Sequence, residues 1–76
     1  MKAIVRLMGG LHALEPHGRN EVTVTAEGLT IQRVLERLSL PVNYVYLVLV
    51  NGGTAAIEHV LRDGDTVEVY PPICGG

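Results

Sequence analysis

The residues best able to do chemistry stand together at the end of the chain, which closes "YPPICGG" over residues 70–76. Cys74 brings a thiol and Gly76 a backbone carboxylate. Gly75 and Gly76 have no Cβ, so they can thread a narrow channel and let that carboxylate approach a reactive phosphate. Pro71 and Pro72 fix φ and carry no N–H, so they end a sheet ladder and send the chain outward. Six residues from Pro71 to Gly76 reach about 20 Å when extended. A free carboxylate is a poor electrophile and has to be activated by something else. Cys74 as a nucleophile would need nearby cations or a helix N-terminus to depress its pKa, and the neighbouring sequence offers neither. It reads as a small, soft residue tolerated in a tail. His12, His17 and His59 match no zinc spacing, with or without Cys74. No metal site is expected, and no Ser-His-Asp or Cys-His arrangement follows from spacing.

The elements that position this tail are legible as changes of period. "KAIVRLM", 2–8, alternates, with Ala3, Val5 and Leu7 on one side and Lys2 and Arg6 on the other, which predicts a half-buried strand. Ile4 and Met8 make the outer side partly apolar. "EVTVT", 21–25, alternates again, and the two strands are expected to pair antiparallel across a long connection. Ile31, Val34, Leu35 and Leu38 then recur at helical spacing. Thr30 suits the N-cap, and Gly28 and Pro41 bracket the helix. "YVYLVLV", 44–50, is apolar on both faces and predicts a central strand. "NGG", 51–53, is a tight-turn signal, "AAIE", 55–58, a candidate short strand, "RDGD", 62–65, a turn, and "TVEVY", 66–70, a last strand with Val67 and Val69 inward. A sheet with one apolar face and one amphipathic helix buries both by laying the helix across the sheet, an α+β arrangement.

The totals fit one domain. The chain has 76 residues, 47% of them hydrophobic, too apolar and too weakly charged to be disordered. A formal charge of −2 argues against nucleic acid, which selects a basic surface. No basic run suits an anionic membrane, and no apolar run is long enough for a span. One cysteine cannot form an internal disulfide, and "MKAIVRLMGG" is a poor signal peptide, so a cytoplasmic setting is expected. Gly9-Gly10 has no Lys-Ser/Thr after it, so it reads as a turn and not as a phosphate loop.

The element order, "VNGG" after the long apolar strand, "LRDGDTVEVYPP" before the end, and the terminal Gly-Gly together resemble the MoaD/ThiS-type small sulfur carriers, prokaryotic relatives of ubiquitin. A Gly-Gly end arises by chance about once in 200 chains. The resemblance covers nearly the whole chain. It implies a β-grasp (ubiquitin-like) fold, with a mixed sheet of four to five strands and one main helix packed across one face, over residues 1–70, and an extended tail over 71–76. It also implies a function: an adenylating partner uses ATP to activate the Gly76 carboxylate, sulfur transfer makes it a thiocarboxylate, and an acceptor synthase receives the sulfur. The chain would be a carrier and cosubstrate, with no cofactor of its own and no catalytic residue. Within the family, "YPPICGG" is closer to the small subunit of molybdopterin synthase. Molybdenum or tungsten cofactor assembly therefore leads, followed by thiamine, cysteine or tRNA thiolation. Conjugation to other proteins, or a plain interaction module with an idle tail, are the alternatives.

The helix can cover only one face of the sheet. Ile4, Arg6, Met8 and Tyr70 are therefore expected on the outer face as a partner interface, joined by one alternate set from 44–50. Either Tyr44, Tyr46, Val48 and Val50 or Val45, Leu47 and Leu49 would complete an apolar patch ringed by Lys2, Arg6 and Glu68. Exposed apolar patches of this kind mark docking sites.

Overall fold

The structure is a computed structural model that describes residues 2–14, 17–25, 28–40, 43 and 45–72. Strands β1 (Ala3–Leu7), β2 (Glu21–Val24), β3 (Leu47–Val50), β4 (Gly53–Thr54) and β5 (Thr66–Tyr70) form one sheet with a single α-helix, α1 (Ile31–Arg37). The strand order is β2-β1-β5-β3-β4. β1 runs antiparallel to β2 and parallel to β5, and β3 is antiparallel to both β5 and β4. This is the five-stranded mixed sheet and single helix of the β-grasp arrangement.

The inner face of the sheet follows the alternation read from the sequence. Ala3, Val5, Leu7, Val67 and Val69 are buried against Ile31, Val34, Leu35 and Leu38 of the helix face. Thr30 caps α1, its hydroxyl accepting from the Arg33 N–H at 3.2 Å. The far end closes in a Schellman motif: the Ser39 N–H donates to the Glu36 carbonyl and the Leu40 N–H to the Leu35 carbonyl. Ser39 occupies the left-handed position at φ 59, where glycine is usual, and Leu40 tucks into the core behind it. Pro41, expected to bracket the helix, lies outside the described residues.

Two expectations are corrected. "AAIE" is not a strand; β4 is the shorter Gly53–Thr54 just before it. The carbonyls of Ile57 and His59 accept from Gln32 and Ile31 at 2.8 and 3.0 Å, so this segment serves the free N–H groups of the helix N-terminus. The central strand begins at Leu47 and not at residue 44, and Tyr44 lies outside the described residues. Within it Val48 and Val50 face the core, leaving Leu47 and Leu49 outward. Neither full alternate set survives, because Val45 packs on the core and Tyr46 is 71% exposed, out of phase with the strand. Leu11, Leu40 and Leu61, which no periodic pattern marked, complete the core from a 3-10 turn (Leu11–Leu14) and two connections.

Candidate functional site

The site begins where the sheet releases the chain. β5 ends at Tyr70, whose carbonyl accepts from the Tyr46 N–H at 2.9 Å; Pro71 is half-buried and Pro72 exposed. The ring of Pro71 rests on Gly9. A Cβ built on Gly9 would stand 2.9 Å from both Cδ and Cγ of Pro71, and Gly9 itself has φ +57. The Gly9-Gly10 turn expected after β1 is present, and the first of the two glycines is also the seat of the tail. Sequence reasoning found the turn and missed the seat. Its only signal was a glycine where a turn alone would have accepted asparagine. Cys74, Gly75 and Gly76 lie outside the described residues.

Next to this exit is the outer face of the sheet. Cross-strand register sorts its residues into rows. Glu21, Arg6, Glu68 and Leu49 lie side by side across β2, β1, β5 and β3. Thr23, Ile4 and Thr66 form the row on one side, and Tyr70 pairs with Leu47 on the other. Met8 keeps the parity of Ile4 and Arg6, and its N–H donates to the Val69 carbonyl at 2.9 Å. The expected ring of charge is therefore corrected: Arg6 and Glu68 run through the middle of the face. Arg6 is held by Glu21, Nε to Oε2 at 3.0 Å. Met8, Tyr70 and Leu47 gather at the end where β5 stops, Leu49 closes the charged row on the β3 side, and Ile4 lies beyond that row. Register is a tertiary property, which is why the sequence could not supply this division.

The two turn motifs close on each other at the opposite end. Asn51 and Gly52, at φ 52 and 88, make the two-residue turn between β3 and β4, the type I′ geometry that suits a hairpin. Asn51 Nδ2 donates to Asp65 Oδ1 at 3.0 Å, and its Oδ1 accepts from the Thr66 N–H at 2.9 Å. Asp65 Oδ2 accepts from the Arg62 N–H at 2.8 Å and lies 4.0 Å from His59 Nε2. These contacts hold the Asp65 carboxyl below its ordinary value of 3.8. The Arg62 backbone N–H is the largest cause, burial opposes it, and the Asn51 amide and the charges of His59 and Arg62 add to it. Asp63 accepts from the Lys2 N–H at 2.7 Å, so "RDGD" also anchors the start of β1. The "VNG" and "DGD" motifs thus have a structural task away from the tail. Among the described residues no three His, Cys, Asp or Glu side chains are grouped to hold a metal, and no helix is long and apolar enough to cross a membrane.

This sheet, helix and turn geometry define a ubiquitin-like β-grasp protein. The same fold is found in SAMP1 from Haloferax volcanii (TM-score 0.72, 22% identity, all of both chains). It recurs in a chain of the complex between subunits 1 and 2 of the molybdopterin-converting factor from Helicobacter pylori (TM-score 0.65, 23%, all of both chains). Urm1 from Trypanosoma brucei shares it as well (TM-score 0.71, 23%, covering 99% of this chain and 95% of that one). The chain belongs to the Mut7-C ubiquitin family, whose sequence model matches residues 1–74. No curated protein matches it.

Proposed function

We propose that this chain is a sulfur carrier whose Gly76 carboxylate is its working group. An adenylating partner joins that carboxylate to AMP at the expense of ATP, releasing pyrophosphate. A sulfur donor then displaces AMP, leaving a thiocarboxylate that passes its sulfur to an acceptor enzyme in cofactor assembly. A molybdenum or tungsten pterin pathway is favoured and thiamine is next. The chain itself catalyses nothing; the chemistry belongs to its partners, in the cytoplasm. The observation that supports this reading is the seat of Pro71 on Gly9, at the end of the sheet that also carries Met8, Tyr70 and Leu47. A partner docked on that apolar end has the tail within reach of its active site, since six extended residues span about 20 Å. Shared fold with the molybdopterin-converting factor chain supports the same reading.

SAMP1 from Haloferax volcanii, whose fold this chain shares, is a small archaeal modifier protein. That likeness favours one second use of the same activated carboxyl, transfer to an amine of another protein. Intact mass separates the outcomes. The chain is incubated with ATP, a sulfur donor and the adenylating enzyme, beside a variant lacking Gly76. Replacement of one terminal oxygen by sulfur, absent in the variant, is the expected result. Covalent adducts to other proteins without sulfur gain would select the modifier. No change in mass with an enzyme that adenylates a known carrier would leave an interaction module.

A further inference from the structure

The sheet end opposite the tail carries a concavity that the tail chemistry does not use. It lies between the β3–β4 hairpin and the connection leading into β5, measures about 620 Å³, and is walled by Val50, Ala55 and Ala56, with Thr54, His59 and Arg62 beside them. That is room for a small molecule. The side-chain acceptors of this concavity are already spent. Asp65 Oδ1 accepts from the Asn51 amide and Oδ2 from the Arg62 N–H, with His59 Nε2 at 4.0 Å. Asn51 Oδ1 in turn accepts from the Thr66 N–H. The donors are not spent. Arg62 is exposed, and its guanidinium makes no ion pair among the described residues. The Ala55 N–H donates to the Val48 carbonyl, so alternation along the antiparallel ladder turns the Thr54 N–H away from β3. β4 is terminal in the strand order, which leaves that N–H on an open edge.

We propose that this concavity binds a short aliphatic monocarboxylate. The planar guanidinium of Arg62 takes the carboxylate through two parallel N–H donors. The Thr54 N–H offers a further donor, and Val50, Ala55 and Ala56 cover the aliphatic body. A surplus of donors over acceptors selects an anion. Its single charge follows from Asp65, whose carboxylate stays in the wall. Arg62 is the one cation left to match, and a doubly charged phosphate ester would face Asp65 with its second charge uncompensated. The small side chains of Ala55 and Ala56 suit an alkyl chain. The inference stands whether or not Gly76 carries sulfur.

The test is a titration of the labelled full chain with butyrate at neutral pH and fixed ionic strength, beside butyramide, which has nearly the same shape and no charge. Saturable amide shifts at Thr54, Ala55, Ala56, His59 and Arg62 are expected with butyrate, and much weaker ones with butyramide. Arg62→Gln, which leaves the backbone N–H on Asp65, weakens butyrate about fivefold, the scale of one exposed ion pair. Should that variant fail to fold, the wild-type preference for butyrate over butyramide carries the same meaning. Equal binding of the two, tighter binding of methyl phosphate, shifts centred on Arg33 and Arg37, or no shift at millimolar butyrate would each overturn the proposal. Concentration-dependent shifts of the same amides without butyrate, lost when Gly76 is removed, would give the site to the C-terminus of a second copy and overturn it too.

Discussion

Replacing Gly9 by alanine tests whether the tail is seated or merely attached. Two costs arise. At φ +57 an L-residue occupies the left-handed region, at about 1 kcal/mol relative to glycine. The new Cβ also meets the Pro71 ring at 2.9 Å. Overpacking of that kind costs about 1–3 kcal/mol when the neighbour is held in place. In a domain this small each kcal/mol moves Tm by about 4–8 °C, so Gly9→Ala lowers Tm by roughly 10–30 °C if Pro71 holds its position. The second cost disappears when the ring is removed. In a Pro71→Ala background Gly9→Ala should cost only the backbone part, about 1 kcal/mol. A double-mutant cycle by urea denaturation therefore shows a coupling of about 1–3 kcal/mol. Gly10→Ala is a useful companion: its φ of +88 lies further from the left-handed optimum, yet no atom of the described residues stands within 4 Å of its Cβ position. A larger loss at Gly9 than at Gly10 thus reports the contact. Coupling below about 0.5 kcal/mol would mean that Pro71 moves aside freely, and the argument for a directed tail exit would be lost.

Two further predictions concern the turns. Asp65 is depressed below its ordinary 3.8, so it adds stability above its unfolded value and loses it as pH falls through the folded one. Stability measured by urea unfolding should therefore fall on acidification below pH of about 4, and less steeply in Asp65→Asn. That variant should itself cost about 1–2 kcal/mol at neutral pH through weaker acceptance from Arg62 and Asn51; an unchanged acid slope would remove Asp65 from the account. Ser39→Gly should stabilise by about 0.5–1 kcal/mol, because glycine relieves a left-handed residue at the helix end and loses a little to unfolded-state entropy. A loss of stability there would show that Ser39 contributes something beyond its backbone.

Local pattern carried most of the fold. Alternation at 2–8 and 66–70 placed Val5, Val67 and Val69 in the core, and the helical spacing of Ile31, Val34, Leu35 and Leu38 turned one face of the helix to the sheet. These readings succeed because each element must bury one face, and its period says which. The reading failed over 44–50, where apolar residues on both faces carry no phase information, and over 55–58, where Ala55 donates to Val48 of β3 but the Ile57 carbonyl turns to the helix.

The sequence by itself thus determined the elements, the fold class they add up to, and the proline, cysteine and glycine types of the segment on which the proposed chemistry rests. Only the tertiary structure decided where the tail leaves, because the contact between Gly9 and Pro71 joins residues far apart in the chain. It likewise decided that Arg6 and Glu68 divide the outer face, since the parallel register of β1 and β5 follows from packing the whole sheet against one helix. Local propensity acts within a few residues, while a site of this kind is assembled from strands that meet only when the chain has closed on its core.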